Sequence, residues 1–201
     1  SASPARLGVL RAAGLDPLVE VADLDEPALL AANPNAGHGT KITGLASAKA
    51  TRVARRIADA HPDALVVGCD SMLLLEGELQ GKPGDRDTAR RRWRAMAGKT
   101  GELVTGHAVL RLHDGSINQV AVVHAATAVR FAQPSDAELE AYLATREPLA
   151  VAGAVTPSGF AGLVFEGSGG PPSAALGISP PLLRRLLTAV GVSVTDLWRR
   201  D

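Results

Sequence analysis

The stretch Ala64–Pro83, ALVVGCDSMLLLEGELQGKP, decides the fold. Its first apolar run, Ala64-Leu65-Val66-Val67-Gly68-Cys69, has the length and composition of a buried strand. Asp70 stands where that run ends. A second run, Met72-Leu73-Leu74-Leu75, leads into Glu76-Gly77, a tight-turn pair, and the stretch closes on Gly81-Lys82-Pro83. A carboxylate at the mouth of a buried strand, with a lysine returning from a nearby turn, suits phosphate and a metal ion. Asp70 can bind metal or deprotonate a water. The plainer alternative is a strand-end aspartate that caps a turn. Lys82, directly before Pro83, is open in the same two ways.

Upstream, Leu45, Ala46, Val53, Ile57 and Ala60 predict a helix from about Leu45 to His61, with Lys49 at the border of its buried face. Lys49 either reaches a phosphate or snorkels to solvent. The Asn-, Pro-, Gly- and His-rich segment from Glu26 to Gly44 predicts a mobile connection. Before it, Leu18-Val19-Glu20-Val21 reads as a strand that ends at Asp25-Glu26. Those paired acids suit Mg²⁺, or simply begin a loop. At the start, Ser3-Pro4 predicts a helix with Leu7, Leu10 and Ala13 on one stripe and Gly14 as its stop. Ser1, Ser3 and Arg6 make an anion site at that helix start, or a routine cap with a surface arginine.

Downstream, a helix is predicted over Thr88–Ala97, capped by Asp87, with Ala89, Trp93 and Met96 inward. Glu102–Leu112 and Ile117–Phe131 read as long strands, and Asp114-Gly115 between them is a hairpin signal. Ser135-Asp136-Ala137-Glu138 is a capping box for a helix to about Thr145. A short apolar run, Leu163-Val164-Phe165, precedes a last helix at Ser179-Pro180, with Leu182, Leu183, Leu186, Leu187 and Val190 inward and Gly191 as its end. Alternating helices and strands around one long hairpin predict an α/β domain with a mixed sheet.

The 201 residues suit one domain, and equal totals of 21 basic and 21 acidic residues give no net charge. Nothing in that balance calls for a nucleic-acid arm or a membrane surface. A single cysteine, Cys69, excludes an internal disulfide framework and points to a reducing cytosol. Apolar runs are too short for a membrane span. The chain does not start with methionine, so native residues before Ser1 are expected. Gly98-Lys99-Thr100 lacks the earlier glycine of a P-loop, since Trp93 stands there. No G-x-S-x-G elbow occurs, and His38, His61, His107, His113 and His124 have no metal spacing.

Taken in order, the motifs resemble the Maf family of nucleoside triphosphate pyrophosphatases. They are Ser1-Ala2-Ser3-Pro4-Ala5-Arg6, Asp25-Glu26, Ala46-Ser47-Ala48-Lys49-Ala50, Asp70-Ser71, Gly81-Lys82-Pro83, Gly98-Lys99 with Thr105-Gly106, and Ala152-Gly153-Ala154. The resemblance covers nearly the whole chain, 1–201, as one domain. It implies an elongated, mixed central sheet with flanking helices and a cleft between two lobes. It implies hydrolysis of surplus or non-standard nucleoside triphosphates to a monophosphate and pyrophosphate, with Mg²⁺ or Mn²⁺. On matching positions Asp70 would activate water, Asp25 and Asp70 would hold metal, and Ser1, Ser3, Arg6, Lys49 and Lys82 would bind the triphosphate. Such equipment suits phosphoryl transfer, which is mostly positioning and charge neutralisation.

Departures fall mainly where a base would be recognised: Ala5, Gly101, Val151, Ser158 and Ala174 replace residues usual in the family. They leave the preferred base open and motivate an alternative, a non-catalytic nucleotide sensor acting on septum formation. A nucleic-acid role for Arg90-Arg91-Arg92 and Arg94 is a lesser alternative, because aromatic interleaving is absent. No membrane or nucleic-acid partner is expected. The resemblance leaves oligomeric state open, with a homodimer among the options.

Overall fold

Leu65–Leu75 forms one unbroken strand, β1, in a computed structural model that describes residues 3–152, 160, 165–169 and 175–199. Asp70 therefore lies in the middle of a strand, not at its end. A carboxylate need not terminate a buried strand when a partner meets its charge. Glu76 and Gly77, at φ +51° and +87°, turn the chain into β2, Glu78–Gln80, which pairs antiparallel with β1. Positive φ at both turn residues is what a two-residue hairpin demands. Asp114 and Gly115, at φ +48° and +72°, make the corresponding turn between β3, Thr100–His113, and β4, Ser116–Phe131.

The strand order is β2-β1-β3-β4-β5, where β5 is Phe165–Ser168 and runs antiparallel to β4. The Leu112 N–H donates to the Ala64 carbonyl at 2.8 Å, so β3 ends where β1 begins. Of the predicted run Leu163-Val164-Phe165, the first two residues lie outside the described residues. The helices are α1 Pro4–Ala12, α2 Glu26–Ala31, α3 His38–Ile57, α4 Arg86–Met96, α5 Asp136–Ala144, α6 Glu147–Ala150 and α7 Pro180–Ala189. An α/β fold with flanking helices is what the pattern predicted.

The chain divides into two compact units. The first contains Ser1–Asp70, Thr105–Ala125 and Gly177–Asp201. Here α3 starts at His38, seven residues before the expected position, and Gly39 in its first turn leaves room for a neighbour. A Cβ there would stand 2.4 Å from the His124 ring. Pro27 sits in the first turn of α2, where its missing N–H costs nothing. The expected mobile connection at 26–44 thus holds one whole helix and the start of another. The expected strand Leu18–Val21 is not a strand. Leu18 is 83% exposed, and Arg56 fastens this extended segment through Glu20 and the Val21 carbonyl, a side-chain tie in place of a ladder.

Two apolar clusters hold this unit. Ala46, Ala50, Val53 and Ala54 pack against Val66, Ala108, Leu110 and Leu112. Cys69, Val109, Ile178, Leu183, Leu186, Leu187 and Val190 form the other, which seats α7.

The second unit, Ser71–Val104 with Ala126–Leu176, is built around Trp93. Its ring meets Phe131 and Tyr142 edge-on, at 6.1 and 5.6 Å, contacts that each contribute about 0.5–1.5 kcal/mol. The cap of α4 is Asp85 rather than Asp87, because Asp85 accepts both the N–H and the hydroxyl of Thr88 at 2.8 Å. Asp87, one turn in, pairs with Arg90. Arg90 also grips Glu140 with two nitrogens, Arg94 reaches Asp136, and Arg92 donates to the Gly81 carbonyl. Arg90 and Arg94 therefore fasten α4 to α5, and the basic cluster has a structural role. The Ser135 capping box forms as expected, with Glu138 returning to the Ser135 N–H at 2.7 Å.

Candidate active site

Two glycines bring α3 onto the sheet. A Cβ at Gly68, in β1, would stand 2.3 Å from the Ala46 carbonyl oxygen, and one at Gly106, in β3, 2.6 Å from that of Ile42. No other residue permits so close an approach. The buried face of α3 is Ile42, Leu45, Ala46, Ala50, Val53 and Ala54, which leaves Lys49 at its edge. From there the Lys49 ammonium forms an ion pair with Asp70 and a second with Glu26 Oε1 at 2.7 Å.

Asp70 is 7% exposed. Burial pushes its carboxyl above the ordinary 3.8, while Lys49, by charge and hydrogen bond, pulls the other way. For Lys49, burial disfavours the ammonium, but Asp70 and Glu26 together outweigh it and hold the group above 10.5. The ammonium therefore stays charged.

Arg6 approaches from α1. Ser3 caps that helix and accepts the Arg6 N–H at 3.4 Å. The guanidinium donates through Nε to the Gly177 carbonyl at 2.8 Å and through Nη1 to the Cys69 carbonyl at 2.9 Å. Arg6 is thus tied to the peptide next to Asp70. Burial pushes the Cys69 thiol up against the opposing charge of Arg6, so it stays protonated and inert.

His107 is a site neighbour that spacing did not single out. It lies in β3, 1% exposed, and its Nε2 accepts the Ser179 N–H at 3.0 Å. A backbone N–H only donates, so the ring proton sits on the buried Nδ1, on the side where the Thr105 backbone is its neighbour. Burial, then the charge of Arg6, push its pKa down from 6.5 to about 4, partly opposed by the Thr105 backbone. Its signal in the sequence was one polar ring directly before the apolar run Ala108-Val109-Leu110.

The sequence matches the family model for Maf-like proteins over residues 1–190. The chain belongs to the Maf family. Similar members named nucleoside triphosphate pyrophosphatase come from Rhodococcus erythropolis and Nocardia farcinica, each 55% identical over 99% of this chain and 94% of the relative. One from Mycolicibacterium gilvum is 48% identical over the full chain and 97% of the relative.

In this Maf protein the first unit assembles Ser3, Arg6, Glu26, Lys49 and Asp70. Asp25, expected to hold metal, caps α2, with Oδ1 accepting the Ala28 N–H at 3.0 Å. Glu26 is the acid that joins Lys49 and Asp70. Lys82 belongs to the second unit, where it is exposed in the loop after β2. Ser1, Ser158 and Ala174 lie outside the described residues.

The oxygen donors of Asp70 and Glu26 fit a Mg²⁺- or Mn²⁺-type ion. Both carboxylates already converge on one positive charge, and such ions take one or two carboxylates plus substrate phosphates. A separate exposed cluster, Asp63, His113 and Asp114, lies at the β3–β4 turn. Among the described residues no helix is long and apolar enough to cross a membrane.

Proposed function

We propose that this chain hydrolyses nucleoside triphosphates between the α and β phosphates, releasing a nucleoside monophosphate and pyrophosphate. The observation that carries the reading is the buried Asp70 carboxylate joined to Glu26 through Lys49, beside Arg6, in a Maf chain whose relatives bear that activity's name. Before substrate arrives, Lys49 neutralises both acids. Triphosphate oxygens compete for its ammonium and release Asp70 as a base. Asp70 takes the proton of a water whose oxygen attacks the α phosphorus, and pyrophosphate leaves with the bridging oxygen.

Ser3, Arg6 and Lys49 position the phosphates. Asp70 and Glu26 would hold a divalent cation, which would supply charge neutralisation on the phosphates. We read the two units as one domain, because the chain crosses between them after residues 70, 104, 125 and 176, leaving neither as one continuous segment. The free, buried Cys69 supports a reducing cytosol as its home.

The test is pyrophosphate release across a nucleotide panel with Mg²⁺ or Mn²⁺, for the native chain and Asp70→Asn. Turnover that drops about 10²–10⁴-fold in Asp70→Asn while nucleotide binding survives is the expected result. Binding without turnover, unchanged in Asp70→Asn, would instead support the nucleotide-sensing regulator.

A further inference from the structure

We propose that His107 is a positioning residue for substrate phosphate, acting through the segment 177–179 to hold the Arg6 guanidinium in place. The inference rests on the triphosphate reading above and extends it to a side chain that would not touch substrate. Its basis is a short chain of hydrogen bonds inside the first unit. His107 Nε2 accepts the Ser179 N–H, fixing that peptide against β3. Two residues earlier, the Gly177 carbonyl accepts from Arg6 Nε at 2.8 Å. The opposite arm of the same guanidinium donates to the Cys69 carbonyl, one residue before Asp70.

Each link has a physical requirement that few side chains meet. The Ser179 N–H is buried with its residue, which is 6% exposed, so losing its acceptor would leave a donor without water. The imidazole must be neutral to accept there, and it is buried close enough to Arg6 for the two to repel when both are charged. A charged or acceptor-free residue at 107 would therefore release the 177–179 backbone, and with it a carbonyl that orients Arg6. The flanking residue Ile178 is itself fully buried in the apolar cluster with Cys69 and Val109, so the segment has one seat and little slack. A misplaced phosphate clamp costs rate through geometry rather than chemistry.

The experiment compares His107→Leu, His107→Gln and His107→Asn, each alone and combined with Arg6→Gln. Two readouts are used: kcat and KM for pyrophosphate release, and calorimetric binding of an α,β-methylene nucleoside triphosphate. Gln can place its Oε1 near the position of Nε2, whereas Asn is too short and Leu has no acceptor. The expected result is about a tenfold rise in KM and in ligand Kd for Leu and Asn, with kcat changed less and Gln close to native. In the Arg6→Gln background the same changes at 107 should alter affinity less than about twofold, since residues acting through one group are not additive. Full additivity, or Gln no better than Asn, overturns the proposal. Should Leu fail to fold, the Gln and Asn pair still decides. Ligand binding without turnover in the native chain would overturn the hydrolase reading alone, while absence of both would overturn the two together.

Discussion

Lys49 on α3 and Asp70 in the middle of β1 form an ion pair across 21 positions of sequence, and Glu26 of α2 closes on the same ammonium. One cation thus serves two acids that would otherwise repel each other. The pair explains why a carboxylate is tolerated in a buried strand. It also sets how the site responds to pH.

On the proposed mechanism Asp70 works in its ionised form, so kcat/KM should fall as pH drops through its pKa. Burial holds that pKa above 3.8, and Lys49 is the main opposing influence. In Lys49→Met the acid limb should move to higher pH, together with a loss of affinity for substrate. A pH–rate profile of the native and variant chains is the check, and an unmoved limb would mean that another group titrates.

Glu26 and Asp25 are adjacent in sequence and make different contacts. Glu26→Gln removes a carboxylate from Lys49 and should lower kcat/KM by about 10-fold or more, with a higher requirement for divalent cation. Asp25→Asn keeps a side chain that caps helices nearly as well and should cost at most a few tenths of a kcal/mol. Metal-titrated assays and thermal melts of both variants distinguish them; equal loss of activity would place Asp25 in the site after all.

Gly68→Ala tests the seat of α3. The new Cβ would meet the Ala46 carbonyl oxygen at 2.3 Å and the Ala50 Cβ at 2.9 Å, so helix or strand must shift. Overpacking of this kind costs about 1–3 kcal/mol. Because Lys49 rides on the same helix, the ion pair should loosen and activity should fall beyond what stability explains. Urea unfolding and kcat/KM measured on the same sample give both numbers.

The neutral, buried His107 makes the chain sensitive to acid. Its pKa is about 4 in the folded protein and 6.5 ordinarily, so the unfolded chain binds more protons throughout that window. Stability should therefore fall as pH drops from 6.5 toward 4, by at most about 3 kcal/mol from this group. Denaturant melts at the two ends of the window should show a smaller difference for His107→Gln than for the native chain.

Local chemistry in the sequence determined much of this protein. Ser3-Pro4, Asp114-Gly115 and Ser135 with Glu138 act within a few residues, and their cap and hairpin geometries follow from which groups can reach the neighbouring backbone. Periodicity gave the inner faces of α3 and α7, and the ordered motifs gave the residues around Asp70. Tertiary structure alone decided that Asp70 is mid-strand, because only a lysine from another element makes a buried carboxylate tolerable there. It alone separated the contacts of Asp25 and Glu26, since a one-residue step turns a carboxylate that caps α2 into one that pairs with Lys49. It also gave His107 its place, for a ring flanked by apolar neighbours has no visible task until a distant peptide, that of Ser179, donates to it.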